Sequence, residues 1–74
     1  MDYRERIGTD PQIMLGKPTI KGTRITLELI LRKLSEGANE EDILKAYPHL
    51  QKAGILAALS YSADVVSRKE MMVG

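Results

Sequence analysis

The chain has no cysteine, no tryptophan and no phenylalanine, and His49 is its one histidine. Without cysteine a disulfide framework is excluded, and a structural zinc site lacks its usual thiolate and imidazole ligands. Long hydrophobic runs are missing too. No stretch approaches the ~18 apolar residues of a membrane span, and Met1-Asp2-Tyr3-Arg4-Glu5-Arg6 lacks the apolar segment of a secretory signal. The expectation is a cytoplasmic protein with no membrane contact. Nucleophilic catalysis needs a Ser, Cys or Thr beside a base that a third group orients. His49 stands in the tight Tyr47-Pro48-His49-Leu50 connection, where an imidazole is most simply exposed or capping a carbonyl, and local spacing brings no serine or carboxylate to it. The sequence reads as no enzyme, with no cofactor, no metal and no small-molecule substrate.

What is present is enough to fold. The 74 residues are 43% hydrophobic and 28% charged, too apolar for a disordered tail, and they make one domain, 1–74. A domain this short buries only about 60% of the surface its unfolded chain exposes. Small domains compensate with disulfides, a metal or association, and the first two are already excluded. A homodimer or a protein partner is therefore expected. The net charge of +1 hides an asymmetry: residues 1–35 carry seven basic against four acidic groups, and residues 36–74 carry four against six. A nucleic-acid footprint would fall on the first half.

Residues 1–25 are punctuated by Asp10-Pro11, Gly16-Lys17-Pro18 and Lys21-Gly22-Thr23. They read as turns joining two or three short strands, among them Arg4 to Thr9, Thr19-Ile20 and Thr23-Arg24-Ile25. From Thr26 the period becomes helical, with Leu27, Ile30, Leu31 and Leu34 on one side and Glu28, Arg32 and Lys33 outside. Thr26 is the expected N-cap, and Gly37 the residue that ends the helix. Asn39 opens a second helix with Glu40, Glu41 and Asp42 in its first turn, where the macrodipole favours negative charge. That explains the three acids as helix punctuation without a metal or acid–base site. Ile43, Leu44 and Tyr47 face inward and Pro48 stops the helix.

A third helix is expected from about Gln51 to Ser67, with Ile55, Ala58, Leu59, Ser62, Ala63 and Val66 as its core stripe. Leu56 and Val65 then belong to a second apolar surface, which points to a partner. The three-helix core spans 26–67, and 68–74 is expected to fray, although Met71-Met72-Val73 could pack across a dimer. Gly16-Lys17-Pro18-Thr19 has an outward likeness to a phosphate-binding loop, but positions 11 and 18 are proline where the loop needs glycine and Ser or Thr, and Pro18 removes a backbone donor. Nucleotide binding is rejected.

The run Gly16-Lys17-Pro18-Thr19-Ile20-Lys21-Gly22-Thr23-Arg24-Ile25, with Glu36-Gly37, Glu40-Glu41-Asp42-Ile43-Leu44, Tyr47-Pro48-His49-Leu50, Ile55 and Ala57-Ala58-Leu59-Ser60-Tyr61, resembles the domain-of-unknown-function 433 family. The resemblance covers roughly Tyr3 to Ala63. It implies a mainly α fold, a three-helix helix-turn-helix-like domain with a small N-terminal β element, and dimers. It also implies a prokaryotic source and a role as antitoxin to a PIN-type ribonuclease toxin encoded nearby. One departure stands out. The family's third helix commonly opens Thr-x-Glu-Asp-Ile, whereas this chain reads Gln51-Lys52-Ala53-Gly54-Ile55. With the cap lost, the helix is expected to begin late, near Gly54, and Leu56 stands where relatives are often basic.

Two functional readings follow. One is a non-catalytic, antitoxin-like module that covers a toxin through its β edge or spare apolar surface, its acidic half complementing a ribonuclease's basic groove. The other is a DNA-binding transcriptional regulator in which Gln51, Lys52 and Leu56 lie on the recognition helix and Lys17, Lys21, Arg24, Arg32 and Lys33 hold phosphates. Lys21-Gly22-Thr23-Arg24 admits both a structural reading, a glycine turn, and a functional one, with Arg24 a forked donor to a partner's carboxylate or phosphate.

Overall fold

The computed structural model describes residues 3–73. Three helices, α1 (Leu27–Ser35), α2 (Glu40–Ala46) and α3 (Lys52–Val73), follow a two-stranded antiparallel sheet of β1 (Ile7–Gly8) and β2 (Thr19–Ile20). The protein is mainly α, with a small N-terminal β element. Ile7 pairs with Ile20 and Gly8 with Thr19. Among the described residues no helix is long and apolar enough to cross a membrane.

The N-terminal third is held by local turns. Thr23 N–H donates to the Ile20 carbonyl at 3.0 Å, closing a turn whose third residue, Gly22, has φ +80°, a value only glycine takes without strain. The Thr23 hydroxyl reinforces it by donating to the Ile20 carbonyl at 2.7 Å and accepting from Ile25 N–H at 3.0 Å. This is why Thr23-Arg24-Ile25 makes no strand of its own: its groups are spent on the turn, and the chain returns to pairing only as the isolated bridge Thr19–Thr26. The strand expected over Arg4 to Thr9 is likewise shorter. Tyr3–Glu5 form a single 3-10 turn, closed by Arg6 N–H to the Tyr3 carbonyl at 2.9 Å, and Tyr3 lies edge-on against Tyr61 of α3 with ring centroids 5.5 Å apart.

α1 starts where expected. The Thr26 hydroxyl accepts from Leu29 N–H at 3.1 Å, Leu27 N–H is tied back to the Pro18 carbonyl at 3.0 Å, and Gly37 leaves the helix at φ +101°. α2 opens on a reciprocal cap: Asp42 N–H donates to Asn39 Oδ1 at 2.8 Å and Asn39 N–H to Asp42 Oδ2 at 2.9 Å. One of the three first-turn acids is thereby a capping group. Tyr47–Gln51 then turn the chain into α3.

α3 differs from expectation in three ways. It begins at Lys52, not near Gly54, because the Gln51 carbonyl already accepts from Gly54 N–H at 2.9 Å. Gly54 is instead a packing residue: a Cβ there would stand 3.1 Å from Leu50 Cδ1 and 3.6 Å from Ile20 Cγ2. The helix also continues to Val73, so the backbone expected to fray is helical as far as that residue; Gly74 and the side chains of 69–73, on which the expected packing of Met71-Met72-Val73 rests, lie outside the described residues. Its buried side is rotated as well. Ile55, Ala57 and Ala58 have no exposed surface, whereas Leu59 is 39% and Val66 52% exposed, and Ala63 is exposed too. The cause is the N-terminal segment. The Tyr3–Glu5 turn and β1 pack on α3 beside α1 and α2, drawing Ala57 and Tyr61 inward and leaving Leu59, Ala63 and Val66 out. The core gathers Ile7, Ile20, Leu27, Ile30, Ile43, Leu50 and Ile55 with the two alanines.

Candidate protein-binding site

A groove of about 570 Å³ runs between α1 and the second half of α3. Leu27 and Leu31 line it from α1, Tyr61, Ser62, Val65 and Val66 from α3, and Pro18 from the segment before β2. The floor follows from helical spacing. Leu27 and Leu31 are one turn apart, as are Tyr61 and Val65, so two apolar ridges face each other across the gap. The helical period groups Leu31 with Leu27, Ile30 and Leu34 on one side of α1. It is only half-buried, and its remaining surface is groove.

The rim is charged and internally paired. Lys17 Nζ lies 3.2 Å from Glu28 Oε1, and Arg32 Nε lies 3.2 Å from Glu28 Oε2. The hydrogen bond from Lys17, then that from Arg32, holds the Glu28 carboxyl below the usual carboxylate range. The three side chains are about half or more exposed, so the network orients the rim more than it stabilises the fold. At the same end Met14, Leu15 and Gly16 are three consecutive residues of positive φ, at 51°, 58° and 80°. Leu15 pays this backbone cost while 92% exposed. Among the described residues nothing covers this strained leucine, two residues from the groove's Lys17.

The candidate residues separate into groups. Lys17 and Arg32 meet at Glu28 on the groove rim. Lys21 and Arg24 are exposed on the Gly22 turn, and Lys33 is exposed on α1 away from the groove lining. On α3, Gln51 Oε1 accepts from Arg6 Nη1 at 3.5 Å, Lys52 Nζ lies 3.9 Å from Glu40 Oε2, and Leu56 is 40% exposed. His49 is exposed in the α2–α3 turn. Among the described residues no three His, Cys, Asp or Glu side chains are grouped to hold a metal ion. The groove was not anticipated from the sequence. The pairing of Glu28 with Arg32 four residues on is a spacing that could have marked its rim.

The family described as "Protein of unknown function (DUF433)" matches residues 7–62, which include β1, β2, α1, α2 and the α3 wall as far as Ser62. The chain belongs to the DUF433 family. No curated protein matches it. Among solved structures, the fold is similar to that of a DUF433 member protein from Anabaena variabilis, with a TM-score of 0.81 at 23% identity, covering 95% of this chain and 69% of that one. At that identity the likeness is one of fold. What the DUF433 domain does in this chain has to be argued from the groove and the α3 surface.

Proposed function

We propose that the protein is a non-catalytic, cytoplasmic binding module of prokaryotic origin, antitoxin-like, that seats a segment of a PIN-type ribonuclease toxin in the α1–α3 groove. The observation that carries the reading is the groove itself: an open apolar trough of about 570 Å³ with an ionic rim, the kind of concave apolar surface that marks a binding site. The exposed, strained Leu15 beside the rim supports it, since a partner's surface would offset the cost of that conformation. Glu40, Glu41 and Asp42 around the α2 N-terminus supply negative charge that complements the basic substrate groove of a ribonuclease.

The test is co-expression with the PIN-type ribonuclease encoded beside it. Co-elution and stoichiometric loss of RNA cleavage are expected. Ser35→Trp, which fills the groove from an exposed position, should abolish both while the far-ultraviolet circular dichroism stays unchanged. A ribonuclease that neither co-elutes nor is inhibited would overturn the reading.

The DNA-binding alternative rests on the helix-turn-helix order of α2, residues 47–51 and α3. Such folds lay helix N-termini against phosphates, and here the α2 N-terminus carries three acids. A promoter duplex titrated at two salt concentrations separates the readings, because phosphate contacts make affinity fall steeply with salt.

A further inference from the structure

Leu15 and the α1–α3 groove are a knob and a hollow that one chain does not bring together. Among the described residues Leu15 is the most exposed of the large apolar side chains, and it is absent from the lining of its own groove. Its turn is held by backbone bonds: Ile13 N–H donates to the Asp10 carbonyl at 2.8 Å, and Gly16 N–H to the Ile13 carbonyl and Lys17 N–H to the Met14 carbonyl at 3.1 Å each. A side chain fixed on such a turn enters a concave site with little ordering left to do. Met14, exposed beside it, widens the knob.

Charge makes the same match. The charged lining of the groove is Lys17, Glu28 and Arg32, one cation in excess. Glu28 already takes one cation on each oxygen, so the donors left on the rim belong to Lys17 and Arg32. The segment from Asp10 to Gly16 carries one charged side chain, the exposed carboxylate of Asp10, and no cation. Asp10 Oδ1 accepts from Gln12 N–H at 2.9 Å, which leaves Oδ2 to meet a rim cation.

We infer that Leu15 of one copy seats in the α1–α3 groove of a second copy, with Asp10 against the Lys17 and Arg32 rim, and that the exchange is reciprocal. Leu15 stands three positions before Pro18 of its own groove, a span of no more than about 11 Å. Knob and hollow therefore lie side by side, and a two-fold axis between them makes both contacts at once. A head-to-tail contact would instead leave one knob and one groove open and grow into a chain. The dimer needs no toxin and does not rest on the toxin reading. A toxin segment in the same groove would compete with Leu15 and split the dimer.

Sedimentation equilibrium of the full chain should show a monomer–dimer equilibrium with no larger species. Leu15→Asn, a residue that tolerates the left-handed region, and Ser35→Trp, which fills the groove, should each weaken it by more than about tenfold. Mixed together, the two variants should pair again through one of the two contacts, because Leu15 of the Ser35→Trp chain meets an open groove on the Leu15→Asn chain. Asp10→Lys should weaken the dimer less, and its difference from the native chain should shrink as salt is added. A native chain that stays monomeric across the range, growth beyond the dimer, a mixture no better associated than its components, or an Asp10→Lys chain equal to the native one at low salt would each overturn the proposal.

Discussion

The two sides of α3 show what each part of the helix is for. On the inner side Ile55, Ala57 and Ala58 are wholly buried, and Gly54 stays side-chain-free so that Leu50 and Ile20 can close on it. On the outer side Leu56, Leu59 and Val66 keep 39–52% of their surface in water. The hydrophobicity is similar, but the fold buries the inner set wholly and the outer set only in part. Cutting a side chain from the inner face should therefore cost more folding free energy than cutting one from the outer face.

The sharpest way to break that comparison is to truncate one residue on each side. Ile55→Ala should destabilise the fold by about 2–5 kcal/mol, the cost of lost burial plus a cavity. That is a large share of a small domain's total. Leu59→Ala, at a side chain that keeps 39% of its surface in water, should cost less, about 1 kcal/mol. Urea titration of both at the same low concentration decides, and equal losses would mean that the outer face belongs to the core after all. The reverse substitutions sharpen the point. Ala58→Leu overpacks a site with no exposed surface and should cost about 1–3 kcal/mol. Ala63→Leu, at an exposed position, should leave the melting midpoint nearly unchanged.

How much of this was legible in the sequence depends on the range of the interactions. Thr26, Gly37 and Asn39 were readable as helix boundaries because caps are decided within four residues. The 3.6-residue period likewise placed Glu28, Arg32 and Lys33 outside α1. The inner side of α3 was not readable, since its orientation depends on Tyr3 reaching Tyr61 across 58 positions of chain and on β1 packing beside it. Gly54 misled for the same reason. Local propensity reads a glycine in a first turn as a weak start, whereas Leu50 and Ile20 make it a point of close approach. The groove needed both Leu31 and Val65 to be seen together, and no local spacing relates α1 to α3.

A smaller effect is expected at the groove's end. Leu15 holds φ +58° with 92% of its surface exposed, so replacing it removes strain and loses no burial. Leu15→Asn, a residue that tolerates the left-handed region, should stabilise the free chain by a few tenths to about 1 kcal/mol, read as a rise in the thermal midpoint. If Leu15 serves a partner, the same variant should bind that partner more weakly despite folding better. A destabilised Leu15→Asn would show that the leucine already has a role inside the monomer.

The smallest effect belongs to Glu28. Lys17 and Arg32 favour its ionised form, so its folded pKa lies below the ordinary 4.5. The stabilisation is complete above that ordinary value and is lost as pH falls through the lower folded value, because the unfolded chain takes up its proton first. Glu28→Gln should therefore remove a small acid-side component of the stability profile, and added salt should remove the same component from the native chain by screening the exposed pairs. Denaturation midpoints at neutral pH and below the carboxylate range measure it for both chains. A native profile no steeper than that of Glu28→Gln would mean that the rim network orients the groove and contributes nothing to holding the fold.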